Sequence, residues 1–233
     1  MKVIGMLGGM SWESSAEYYR LANELVKERL GGLHSAKILL YSVDFEEVEQ
    51  LQHAGEWPEA ARLMIDAARR LEKGGADILL ICTNTMHKVA DEVAEAISIP
   101  LLHIADATAD AVASAGIGCV GLLGTRFTME QDFYRERLAG RHGLEVLIPD
   151  EGERQTVHAI IYDELCLGKV VEESRRKVVG VVDGLVGRGA EGVVLGCTEL
   201  PLLVRPSDVP VRLFDTTAIH VAEAVELALS GEG

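Results

Sequence analysis

Two stretches, GADILLICTNT (residues 75–85) and GAEGVVLGCTE (residues 189–199), decide the fold. Each reads as a helix end at glycine, a short apolar run, and then a small polar turn. An apolar run of four or five residues bounded by turn residues suits a strand buried on both faces and is too short for a core helix. A second pair lies upstream at similar spacing, where IGMLGG (residues 4–9) matches VGLLGT (residues 120–125). Two copies of the same strand pair imply two halves descended from one unit.

Further short apolar runs alternate with segments of helical period: Val3–Leu7, Ile38–Val43, Ile78–Ile81, Leu101–Ile104, Ile117–Leu123, Val146–Ile148, Gly192–Leu195 and Val211–Phe214. That alternation predicts an α/β fold with parallel sheet. Ser14 and Glu17 form a capping-box pattern ahead of Tyr18, Leu21, Ala22 and Leu25, and Gly31-Gly32 stops that helix. Trp57-Pro58 opens another, closed by Gly74-Gly75. The expected architecture is two pseudo-symmetric, doubly wound lobes with parallel central sheets. The first covers residues 1–103 plus 211–233, completed by the C-terminal strand and helix, and the second covers residues 104–210. Ligands bind beyond the carboxyl ends of parallel strands, where all four repeated segments place small or polar residues. One active site in a cleft between the lobes is therefore expected.

Composition narrows the function classes. A chain of 233 residues with 48% hydrophobic and 25% charged residues is that of an ordinary globular protein. A net charge of -15 opposes the basic footprint that nucleic acid requires, and equally an acidic membrane surface. No run reaches transmembrane length, and the strand-like stretch from Lys2 to Gly8 is too short and wrongly flanked to read as a signal peptide, so none is expected. Cys82, Cys119, Cys166 and Cys197 are scattered without a C-x-x-C pair, which fits free thiols in a reducing cytoplasm. Gly5, Gly8 and Gly9 do not make a dinucleotide fingerprint, and the seven histidines show no zinc spacing, so neither cofactor nor metal is expected. Acidic runs such as Glu46-Glu47 and Glu172-Glu173 read as solvated helix faces.

Cys197 follows a predicted strand and precedes a short helix opened by Pro201, a place where backbone N–H groups favour thiolate. The plainer reading is a small buried hydrophobe. Without gaps, the repeat sets Thr83 opposite Cys197, Asn84 opposite Thr198 and Thr85 opposite Glu199. Two proton-handling turns facing each other would suit inversion at carbon, one removing a proton while the other returns one to the opposite face. His87 either orders its turn or lies on the helix face.

Gly8-Gly9-Met10-Ser11-Trp12-Glu13-Ser14, Asn84-Thr85-Met86-His87 and Gly196-Cys197-Thr198-Glu199 resemble the aspartate/glutamate racemase superfamily over essentially the whole chain. The likeness is nearest to the broad-specificity amino-acid racemases of enteric bacteria, through Cys82-Thr83-Asn84-Thr85-Met86-His87. The resemblance implies an amino-acid racemase acting without pyridoxal phosphate or metal, and a homodimer. It implies two opposed catalytic positions, here Thr83 and Cys197. Substrate-binding roles carry over to Asn84, Thr85, Thr125, Thr198 and Glu199, and less directly to Met10 and Gln52, with core packing the other reading of Met10.

The sequence departs from the family where a cysteine ordinarily precedes Asn-Thr, since Thr83 stands there and Cys82 one residue earlier. One step along a strand turns a side chain to the other face, so Cys82 is expected in the core and Thr83 toward the substrate. The resemblance assigns Cys197 to the L-enantiomer and so implies faster turnover from L to D at saturation. Basic residues that hold a distal carboxylate in aspartate racemases have Val48 and Cys166 at comparable positions here, with Arg126 and Lys169 nearby. Neutral substrates such as homoserine or methionine thus stand beside aspartate and glutamate. The competing readings are a single-thiol decarboxylase or cis-trans isomerase of the same superfamily, and a non-catalytic amino-acid binding protein.

Overall fold

The computed structural model describes residues 1–230. They divide into two compact units, Met1–His103 with the segment from His220 onward, and Ile104–Ile219.

In chain order the first unit contains β1 (Ile4–Gly8), α1 (Trp12–Leu30), β2 (Ile38–Ser42), α2 (Phe45–Ala54), α3 (Trp57–Lys73), β3 (Ile78–Ile81), α4 (Ala90–Glu95) and β4 (Leu101–Leu102). Its four strands are parallel in the order β2-β1-β3-β4. β1 and β3 are buried throughout, which is why their sequences are unbroken apolar runs. Alternation sends Leu7, Leu79 and Ile81 into one core cluster with α3, while Ile4, Met6, Ile78, Leu80 and Cys82 pack on the other face with Tyr18, Val26 and Val221.

The second unit runs α5 (Ile104–Ser114), β5 (Cys119–Gly124), α6 (Arg126–Glu130), α7 (Asp132–His142), β6 (Glu145–Leu147), α8 (Glu151–Asp163), α9 (Glu172–Gly187), β7 (Gly192–Gly196), α10 (Leu200–Leu203) and β8 (Arg212–Asp215), and α11 (Thr216–Leu229) starts in it and belongs to the first unit from His220 onward. Its sheet, also parallel, has the order β6-β5-β7-β8, the same arrangement as the first. The repetition extends to single bonds. Asp77 at the start of β3 accepts the Val3 N–H at 2.6 Å. Glu191, at the equivalent place before β7, accepts the Gly118 N–H at 2.8 Å.

Two expectations need correction. The C-terminal strand does not complete the first lobe: β8 pairs with β7, Val193 opposite Leu213, and Phe214 packs with Val120 and Val194. Only α11 turns to the first unit, where Val221, Ala224 and Val225 join Ile4, Met6 and Tyr18, and Lys2 N–H bonds Ala228 O at 2.9 Å. The capping-box reading of Ser14 and Glu17 also fails. Ser11 is the N-cap, accepting the Ser14 N–H, and Glu17 is taken by Arg20 one turn on at 2.8 Å.

Candidate active site

In the first unit β1 and β3 are neighbours, so the turns that leave their carboxyl ends adjoin. The last ladder bond runs from Cys82 N–H to Leu7 O at 2.9 Å. Thr83 N–H then turns back onto Ile81 O at 2.9 Å, a three-residue turn that takes the chain off the sheet. Cys82 thus stays in the core with Ile78 and Leu80, and burial pushes its thiol up, away from any role as a base. Thr83 lies past the ladder, 8% exposed, and is followed by Asn84 and Thr85, which begin the 3-10 turn Thr85–Val89. The imidazole of His87 bonds the Thr83 carbonyl oxygen through Nδ1 at 2.7 Å.

The neighbouring turn is held by serines. Gly9, at φ +96°, takes a backbone conformation that a Cβ would oppose. Its N–H bonds Ser15 Oγ at 2.7 Å, and Ser15 in turn donates to Ser11 O at 2.9 Å. Met10 is buried in the core cluster that contains Leu7, Val48 and Met86. Gln52 is buried as well, its Nε2 bonded to Met86 Sδ at 3.1 Å. Both are thereby linked to Met86, three residues beyond Thr83.

In the second unit β5 and β7 end on the paired Gly124 and Gly196. A Cβ on Gly124 would stand 2.7 Å from Gly196 O, and one on Gly196 would stand 2.9 Å from Leu123 O. Only glycine lets the two strand ends approach so closely. Thr125 caps α6 by accepting the Thr128 N–H. Across from it, Cys197 Sγ–H donates to Glu199 Oε2 at 3.0 Å, and the Thr198 hydroxyl donates to the same oxygen at 2.8 Å.

Glu199 is 4% exposed, so its carboxylate is turned inward onto the thiol and not outward to solvent. Burial first, and the Glu199 charge second, raise the Cys197 thiol well above its ordinary range. The expectation of a thiolate favoured by a helix N-terminus is corrected by this arrangement. α10 has only four residues, and a carboxylate oxygen lies 3.0 Å from the sulfur. The thiol thus donates to a buried carboxylate oxygen. Of the residues weighed for side-chain recognition, Val48 is core, Cys166 packs against the cluster that holds Cys197, and Arg126 pairs loosely with Glu130 at 3.8 Å.

A buried aromatic cluster beneath the Thr83 turn escaped the sequence reading. His87 contacts His103 and His220 at ring-centroid distances of 4.5 and 5.7 Å, and His220 Nδ1 lies 3.0 Å from Tyr18 Oη. The available signal was His220 as the one polar residue of the run Ala218–Ala222. Among the described residues no group of three or more His, Cys, Asp or Glu is arranged to hold a metal, and no helix is long and apolar enough to cross a membrane.

Comparison with known proteins agrees over most of the chain. The family profile described as Asp/Glu/hydantoin racemase matches residues 7–224. The chain is 28% identical over 164 residues to the broad specificity amino-acid racemase RacX of Bacillus subtilis, covering 68% of this chain and 69% of that protein. A solved protein from Yersinia pestis, provisionally assigned as an Asp/Glu racemase, is 55% identical with a TM-score of 0.92, covering 98% of this chain and 100% of that one. An aspartate racemase homologue from Pyrococcus horikoshii is 36% identical with a TM-score of 0.85, covering 98% and 99%.

Proposed function

The chain belongs to the Asp/Glu/hydantoin racemase family, and from that premise we propose that it interconverts L- and D-amino acids without a cofactor, using Cys197 and the Thr83 turn as its proton-handling groups. One observation carries the reading. At the same point of two sheets of the same order stand a thiol paired with a buried carboxylate and a hydroxyl followed by two polar side chains. The Cys197 proton passes to Glu199 Oε2, and the thiolate so formed takes the α-proton of an L-substrate. A proton is returned to the other face of the carbon from the Thr83 side, by the hydroxyl or by water behind it. A threonine hydroxyl is too weak an acid to wait as an alkoxide, so the two positions are chemically unequal. Asn84, Thr85, Thr125 and Thr198 supply donors for a carboxylate that gains enediolate character as the α-proton leaves.

Broad specificity, including homoserine beside aspartate and glutamate, is the substrate range we infer. It is supported by the apolar character of Val48 and Cys166 and by a relative named for broad specificity. A homodimer working on free amino acids in the cytoplasm is inferred from the family alone.

A second reading, a decarboxylase or cis-trans isomerase using one thiol, is favoured by the complete burial of Cys82, whereas Cys197 is 7% exposed and is the one cysteine of the two repeated turns that is paired with a carboxylate. Incubation of each L-amino acid with the protein in D2O, without pyridoxal phosphate, separates the two. α-Deuterium and D-isomer should appear together. Carbon dioxide release, or product without α-exchange, would favour the second reading.

A further inference from the structure

The carbonyl oxygens of Thr83 and Cys197 occupy equivalent places in the repeat, but they are satisfied differently. Cys197 O accepts the backbone N–H of Leu200 at 3.2 Å, so the second turn closes on its own main chain. In the first turn the corresponding three-residue bond lies one residue further on, from His87 N–H to Asn84 O at 3.1 Å. A side chain, the His87 imidazole, reaches the Thr83 carbonyl instead. The repeat puts Pro201, which carries no donor, opposite His87.

We propose that His87 is a positioning residue for the reaction: its Nδ1–H, given to the Thr83 carbonyl, fixes the peptide from which the Thr83 hydroxyl and the Asn84 and Thr85 side chains project. The inference rests on the racemase reading above. A carbonyl can only accept, so the proton of this bond must sit on Nδ1 of His87.

The ring is itself held. His220 is fully buried, and burial lowers its pKa to about 4, so it is neutral at neutral pH. Its Nε2 bonds the Leu102 carbonyl at 2.9 Å, which puts the remaining proton there and leaves Nδ1 to accept from the Tyr18 hydroxyl. Tyr18 and Leu102 therefore lock His220 in one tautomer, and its ring packs edge-on against His87. His103 also packs against the His87 ring, at a centroid distance of 4.5 Å.

The test compares His87→Asn, His87→Gln and His87→Ala with wild type for kcat of α-proton exchange and for Tm. The Asn amide nitrogen falls near the place of Nδ1, whereas the Gln amide extends one bond further. His87→Asn should keep kcat within about fivefold of wild type, while His87→Gln should lose about a hundredfold at a similar Tm, the scale expected for a small misplacement of reacting groups. Equal kcat in the Asn and Gln variants, or wild-type kcat in the Gln variant, would overturn the proposal. If His87→Ala does not fold, the Asn and Gln pair still decides. If those variants also fail to fold, wild type labelled with 15N-histidine should show a slowly exchanging Nδ1–H signal for His87, and its absence overturns the clamp. A wild type that exchanges no amino acid overturns the racemase reading and the positioning role with it. That result comes from the wild-type arm alone and is distinct from any His87 outcome.

Discussion

The turn after β3 and the turn after β7 sit at the same point of two sheets of the same order, yet one presents the hydroxyl of a residue whose carbonyl is held by a buried imidazole and the other a thiol held by a buried carboxylate. The main chain has kept the repeat while the side chains have diverged. What this teaches is that pseudo-symmetry of fold does not carry symmetry of chemistry. A thiol with a carboxylate to accept its proton can act as an acid and as a base, whereas a threonine hydroxyl is a far weaker acid and does not wait as an alkoxide.

The strongest way to break the comparison is to empty each turn in parallel. Cys197→Ala should abolish exchange and racemisation, by roughly a thousandfold or more, because the group removed is the acid-base centre itself. Thr83→Ala should cost less, on the order of a hundredfold, and Thr83→Ser should recover most of it. Equal losses in the two alanine variants would show that the turns are equivalent after all. In wild type the inequality should appear as a larger kcat from L to D than from D to L. The two kcat/KM values must remain equal, because enantiomers in water have equal free energy.

A subtler probe is the carboxylate. The Cys197 thiol is pushed up by burial and then by the Glu199 charge, so kcat/KM should rise as pH rises through its ionisation. Glu199→Gln removes the charge and should move that rise to lower pH, while lowering the plateau by removing the acceptor. A pH profile superimposable on wild type would detach Glu199 from the thiol.

The smallest effect is expected at Cys82. Cys82→Ala should leave kcat unchanged within experimental scatter and lower stability by about 1 kcal/mol, read as a fall of a few degrees in Tm, since it only removes a sulfur from a packed core. A large loss of activity without loss of stability would place the reacting thiol there and not at the Thr83 position.

Much of the fold was legible because buried parallel strands leave unbroken apolar runs, and all eight runs correspond to strands within one or two residues at most ends. Leu101–Ile104 was read too long because α5 begins at Ile104, and one apolar residue can serve a strand end or a helix start equally well. The strand at Arg212–Asp215 was assigned to the wrong unit. The repeat contained the answer, since Leu101 follows the GADILLICTNT stretch much as Arg212 follows GAEGVVLGCTE. At the site, the positions of Thr83 and Cys197 could be read from the repeat, and the inward turn of Cys82 from alternation. The bond from Cys197 to Glu199 could not, because a side chain two residues on reaches back only when the strand has ended in a turn. The cluster of His87, His103 and His220 joins residues up to 133 positions apart, and no local pattern announces it.

The carboxylate bonds from Asp77 to Val3 and from Glu191 to Gly118 span 74 and 73 positions of chain. Each ties the start of an inner strand to the start of its neighbour, so each closes a loop of nearly the same length. Loop-closure entropy grows only with the logarithm of length, which makes the topological barrier to assembling either sheet almost identical. Neither half gains a kinetic lead from its connectivity. Which sheet forms first is therefore decided by local sequence, in the helices and turns where the two halves have drifted apart.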